Sequence, residues 1–326
     1  MEKLFYVKIF KRDNMIKYKE LLFLNKINRV GKVTIYTKYW DMLINSKDMD
    51  DLFNKLHKSN KISEDKLIKA KNEAEKIYDS VVNDSEINVI TVFDKEYPKK
   101  LFDMENQKPL YLYVKGSMDA LSKSNIAIIG TRKPSNNTEI FEKKLVKRIL
   151  DVSKRVVVSG LALGCDKIAH ETTVNENKIT IAFLPCGLNV ISPSSNKKLA
   201  KSIIEQGGCL VSEYEPDKKV FKRSYVERDK IVAAFSDIVF VLQCGEKSGT
   251  MHTVNATIDF KKVNHRDLYV YLPEDMSDGD YSGNISILKS NNGTKVSDID
   301  EFCEEIVILE KDNNLNKNAD YQSKLI

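Results

Sequence analysis

The chain has 326 residues, 42% of them hydrophobic, and carries 52 Lys and Arg against 47 Asp and Glu, a net charge of +5. That length and apolar content exclude a disordered polymer and allow one large α/β domain with a smaller one beside it. So small a charge surplus does not by itself call for a polyanionic partner. No run of about 18 apolar residues points to a membrane span, and the start MEKLFYVKIFKRDN lacks a signal peptide's apolar core and cleavage site. The expectation is a cytoplasmic protein with no membrane partner. Cys165, Cys186, Cys209, Cys244 and Cys303 form no C-x-x-C pair, and the histidines are scattered. Reduced, mostly buried thiols and no metal site are expected.

Residues 1–84 read as a small helical domain, SAM-like or helix-hairpin-helix-like. Its segments MIKYKELLFLNKI, KVTIYTKYWDMLI, DMDDLFNKLH and ISEDKLIKAKNEAEKIYDSVV repeat apolar residues at three and four. The turn INRVGK has two readings. Gly31 and Lys32 touch a DNA backbone as in a helix-hairpin-helix, or Gly31 is the C-cap of a bundle turn. Charge is uneven: residues 1–40 carry ten Lys/Arg against three Asp/Glu, and residues 273–326 carry five against twelve.

From Glu86 the pattern becomes extended. The leader INVITVF and PLYLYVKG is followed by NIAIIGT, RVVVSG, TIAFLPCG, GCLVSEY, DIVFVLQCG and DLYVYLP. Helical patterns fill the five intervals of this six-strand series. One is SSNKKLAKSIIEQGG, opened by Ser194 or Ser195 and closed by Gly207 and Gly208; another is YVERDKIVAAFSD, with Ile231, Val232 and Phe235 on its apolar face. Strands apolar on both faces and alternating with helices predict an α/β, Rossmann-like, doubly wound and mostly parallel sheet over residues 85–306. Residues 307–326 read as a polar tail.

In such a sheet ligands bind at the carboxyl ends of the strands, and those ends are rich in small and hydrogen-bonding residues. They supply Gly130, Thr131 and Arg132; Ser159, Gly160, Gly164, Asp166 and His170; Gly187; and Lys247, Ser248, Gly249 and Thr250. Glycine turns before helix N-termini suit anions, and Arg132, Arg228, Lys230 and Lys247 add charge. None of the turns is G-x-G-x-x-G or a Walker loop, so no NAD, P-loop nucleotide or other cofactor is expected. Asp166 and His170, four apart on one helix, also read as an N-cap with a histidine packed behind it.

The succession AIIGTRKPS, VVSGLALGCDKIAH, IAFLPCGLNVISPSSNKKL, GGCLVSEYEP, ERDKIVAAFSD and SGTMHTVNA resembles the DNA-processing protein A (DprA/Smf) family over roughly residues 16–305. The resemblance implies binding of single-stranded DNA, homodimers, loading of RecA recombinase, and a site rather than a catalytic centre. It aligns the family's GTR turn with Gly130 to Arg132, and its SGT turn with Ser248 to Thr250. Its FPxRNR segment falls on Tyr225 to Lys230, where Arg228 is kept, Asp229 replaces Asn and Lys230 replaces Arg. The family's C-terminal winged helix is not expected, because only about twenty polar residues follow the Rossmann pattern.

Two other functions fit the same turns. One is a sensor of a nucleotide-derived ligand. The other is an enzyme that cleaves nucleoside monophosphates, whose P-G-G-x-G-T-x-x-E turn carries a carboxylate where this chain has His252 or Thr253.

Overall fold

The computed structural model describes residues 17–264 and 266–309. Part of the basic N-terminal stretch and most of the expected polar tail lie outside the described residues. Four helical segments come first: α1 (Tyr18–Lys26), α2 (residues 32–44, with a π turn at Ile35–Tyr39), α3 (Met49–Lys58) and α4 (Glu64–Asn83). Asp48 caps α3 by accepting from the Asp51 N–H. Gly31 has an extended backbone and precedes α2, while Arg29 takes the left-handed turn conformation. Gly31 is therefore not a C-cap.

Leu21, Leu22, Phe23 and Leu24 on α1 are all fully buried, as in a helix enclosed on every side. They share one apolar cluster with residues of the sheet such as Tyr111 and Tyr113. The Tyr18 and Tyr113 hydroxyls hydrogen-bond at 2.8 Å within it. Lys26 reaches Glu215 at 2.7 Å and Lys32 reaches Glu213 at 2.5 Å.

The sheet comprises β1 (Ile87–Thr91), β2 (Tyr111–Gly116), β3 (Asn125–Ile129), β4 (Val156–Ser159), β5 (Thr180–Phe183), β6 (Cys209–Ser212), β7 (Ile238–Val241), β8 (Asp267–Tyr271) and β9 (Thr294–Val296). Their spatial order is β1-β2-β6-β5-β4-β3-β7-β8-β9. β3 to β9 run parallel, and β1 and β2 add an antiparallel edge through the β2–β6 pairing. All six expected strands form, separated by α5 (Asn136–Val152), α6 (Cys165–Asn175), α7 (Lys197–Glu205), α8 (Lys222–Phe235) and α9 (Thr250–Lys261). After β8 come α10 (Ser282–Lys289), β9 and α11 (residues 299–309).

Ile231, Val232 and Phe235 of α8 are buried as the sequence predicts, and so are all five cysteines. The start of α7 differs from expectation. A 3-10 turn spans Ser194–Asn196, and Asn196 precedes the helix without capping it. Its amide instead donates to the Leu161 carbonyl at 2.9 Å, bracing the loop after β4. β9 has no strand signature in the sequence, since it is three residues long and two of them are exposed.

Successive connections place β4 on one side of β3 and β7 on the other. This reversal opens a crevice at the carboxyl ends of these strands, the position at which doubly wound sheets bind ligands.

Candidate nucleic-acid interface

A cavity of about 570 Å³ occupies that crevice. Gly130, Thr131 and Arg132 follow β3, Gly160 and Ala162 follow β4, α8 supplies one wall and the start of α9 closes the far side. Two glycines allow this convergence. Gly164 has φ +72°, and a Cβ there would overlap the Thr131 and Arg132 backbone; a Cβ on Gly160 would overlap the Arg228 guanidinium.

Burial sorts the lining by depth. Arg132, Lys222 and Gly249 are exposed at the mouth, whereas Asp166, Arg228, Val232 and Thr253 are buried at the floor. The Arg132 guanidinium lies 5.2 Å from the centre of the Tyr225 ring in a cation–π contact, which holds the charge at the rim without neutralising it. Gly249 and Thr250 begin α9, where N–H groups have no intrahelical acceptor and the helix dipole is positive. The Ser248 hydroxyl beside them is shielded and has no protein partner. Thr250 Oγ1 instead donates to the Gly130 carbonyl at 3.0 Å, tying the two turns together.

Several candidates are structural groups. Arg228 is the clearest case: its side chain is 6% exposed. Nη1 donates to the carbonyl oxygens of Gly160 and Phe183, and Nε to Asp229 Oδ1 at 2.9 Å. It braces the floor, and among the described residues Nη2 alone is left without a protein partner. Lys230 is outside the cavity, hydrogen-bonded to Gln107 at 3.0 Å, because residues two apart on a helix point about 200° apart. Lys247 is exposed but lines a neighbouring cavity with Lys133, Asp278 and Asp280. Gly187 lies under the Glu215–Pro216 backbone, its N–H donating to the Lys218 carbonyl. The Ser159 hydroxyl is buried and donates to the Ile128 carbonyl at 2.7 Å.

Asp166 is the second residue of α6, not its N-cap, which is Gly164. Its Oδ2 accepts the Gly160 and Ala162 N–H groups at 3.1 and 3.3 Å. Burial raises its carboxyl above the ordinary aspartate range, and the Arg228 charge opposes that rise. His170 is fully buried, away from the cavity lining. The Thr180 hydroxyl donates to the Val157 carbonyl, so His170 Nδ1–H donates to Thr180 Oγ1, at 2.7 Å. Burial depresses this imidazole to about 3, and it is neutral.

Glycine turns therefore contribute shape more than free donors. The N–H groups of Thr131, Gly160, Gly187 and Ser248 all bond protein acceptors. Lys222 was not singled out in the sequence and Tyr225 only as the first residue of the FPxRNR-like segment, yet they recur with Asp229 at the i, i+3, i+7 spacing of one helix face.

Sheet order and crevice together define a Rossmann-like α/β protein with an open crevice at the switch point. The chain belongs to the DNA recombination-mediator protein A family, whose profile matches residues 88–307. Protein Smf of Borreliella burgdorferi is 30% identical over 207 residues, covering 62% of this chain and 63% of the relative. DNA processing protein DprA of Bacillus subtilis is 32% identical over 199 residues, covering 58% and 65%. The chain thus spans less than two thirds of these relatives' length. A solved structure of DNA processing protein A from Helicobacter pylori, described for its single-stranded DNA binding mode, matches with a TM-score of 0.59 and 28% identity over 68% of this chain and 96% of that one. DprA from Streptococcus pneumoniae shares the fold at a TM-score of 0.71, with 22% identity over 88% and 97%. Among the described residues no helix is long and apolar enough to cross a membrane, and no His, Cys, Asp and Glu cluster could hold a metal.

Proposed function

We propose that this chain binds single-stranded DNA in the switch-point crevice and acts as a DprA-type mediator, protecting the strand and loading RecA recombinase as a homodimer. The observation that carries the DNA reading is the cationic mouth. Arg132 sits on Tyr225, Lys222 is exposed at the start of α8, and Ser248 and Gly249 lead into the N-terminus of α9. Family membership and the Helicobacter pylori relative's described DNA binding support it. An aromatic ring beside fixed cations suits a strand with unpaired bases, since bases stack while phosphates meet the charges.

The role is binding and not catalysis. The carboxylate that nucleotide cleavage needs on α9 is replaced by His252 or Thr253, and the buried Asp166 accepts two backbone N–H groups. Fluorescence anisotropy with single-stranded and duplex oligonucleotides of increasing length, at several salt concentrations, tests the reading. Single strands should bind tighter, gain affinity up to a site of several nucleotides and weaken steeply with salt. Saturation at one or two nucleotides would instead identify a sensor of a small ligand, and equal binding of duplex would overturn the proposal.

A further inference from the structure

The mouth of the crevice is cationic and its floor is anionic. Asp229, 15% exposed, lines the cavity beside the buried Asp166. Arg228, the floor's basic group, commits Nη1 to the Gly160 and Phe183 carbonyls and Nε to Asp229. A phosphate entering the floor would meet two carboxylates beside one guanidinium already paired with Asp229. A base has no such conflict, and Val226, Val232 and Tyr225 give it an apolar and aromatic wall.

Asp229 is set to read that base. Its Oδ1 is held by Arg228 Nε, and its Oδ2 has no hydrogen-bond partner among the described residues. An ionised carboxylate only accepts, with about four lone-pair positions shared by two oxygens, so one bond from Arg228 leaves several open. Guanine presents two adjacent donors, N1–H and the N2 amine, that match one carboxylate. Adenine and cytosine each set one amine beside a ring nitrogen that accepts, and thymine flanks its N3–H with two carbonyl oxygens that a carboxylate repels. We propose that Asp229 makes the crevice selective for a donor-edged base, guanine above all, with the flanking phosphates at Arg132 and Lys222. This rests on the single-stranded DNA reading and adds a sequence preference to it.

Arg228 also fixes what a substitution would do. In Asp229→Asn the Arg228 Nε–H needs an acceptor, so the amide oxygen must face it and the NH2 must face the cavity. The floor then changes from acceptor to donor, in nearly the same shape.

The experiment measures anisotropy with a 15-nucleotide oligo-dT and the same strand carrying one central dG, dA or dC. One guanine in thymine avoids folded G-rich structures. The expected result is about tenfold tighter binding of the dG strand than of oligo-dT, with dA and dC between, in line with a bidentate pair's discrimination. In Asp229→Asn the ratio of dG-strand to oligo-dT affinity should fall to about one, at a melting temperature that shows a folded protein. Equal wild-type affinity for all four strands overturns the base reading and leaves DNA binding standing. Failure to bind any strand overturns the DNA reading itself. Free dGMP serves as competitor: displacement only at far higher concentrations than the oligonucleotide supports a base within a strand, and displacement at equal concentration identifies a free guanine nucleotide as occupant and overturns the strand.

Discussion

The Arg228 guanidinium occupies the space a side chain on residue 160 would need, and it is anchored there by donating to the Gly160 carbonyl. Loop and helix are thus interlocked, with Arg228 as the strut and the missing Cβ as its socket. Gly160→Ala must displace the strut, leaving a buried cation without its carbonyl partners. Breaking one side of a buried charged network costs about 3–5 kcal/mol. The melting temperature should fall by roughly 4–7 °C, at about 2.1 cal/mol/K of unfolding entropy per residue, and a thermal melt at wild-type temperature would refute the interlock.

Arg132 and Lys32 separate binding from stability. Arg132 is exposed at the crevice mouth on the Tyr225 ring, so Arg132→Ala should leave the melting temperature nearly unchanged. A charge-assisted phosphate contact is worth about 1.5–3 kcal/mol, so single-stranded DNA affinity should drop tenfold or more. Lys32 is paired with Glu213, whose side chain is 8% exposed. Lys32→Ala strands that carboxylate and should lower stability while changing DNA affinity little. A larger affinity loss at Lys32 would move the DNA site to the helical region.

The sheet was legible because burial on both faces forces continuous runs such as NIAII and IVFV, and a parallel sheet admits few other patterns. The crevice was legible as a place, since glycine turns cluster at strand ends. Which side chains face it was not. That Arg228 commits Nη1 to the Gly160 and Phe183 carbonyls, 68 and 45 residues away in sequence, has no local signal. Helical spacing groups Lys222 and Tyr225 with Asp229, whereas the placement of Lys230 beside Gln107 is a tertiary fact. The engagement of the glycine-turn N–H groups depends on acceptors such as Asp166 and Gln243 and is a tertiary fact.

His170 gives a pH signature. Its folded value of about 3 lies below the ordinary histidine value of 6.5, so between these limits the unfolded chain binds a proton that the native one refuses. Its contribution is present above pH 6.5 and is lost as pH falls towards 3. The total is on the order of a few kcal/mol. His170→Asn keeps an N–H to donate to Thr180 and does not titrate. Melting temperature against pH should therefore decline less steeply below pH 6.5 in the variant, and parallel curves would show that another group dominates.

Glu142 on α5 makes the opposite prediction, because it is an acid held in its neutral form. It is fully buried, neither oxygen meets an N–H or O–H donor, and the Cys165 thiol lies beside it behind the Gly130 turn. Burial pushes its carboxyl well above the usual glutamate range, and the neighbouring Asp166 charge adds to the rise. The native state thus holds a proton that the unfolded chain releases above the ordinary glutamate value. Stability from this group is fully present below that value and is lost as pH rises. Glu142→Met removes the carboxyl at similar length and leaves no buried polar atom to desolvate. The variant should melt higher than wild type at pH 8, and its advantage should shrink steadily towards pH 5. Since His170 titrates in both proteins, the difference between the two melting curves reports Glu142 together with its coupling to Asp166. A difference that stays constant from pH 5 to 8 would mean that Glu142 does not change its protonation on unfolding.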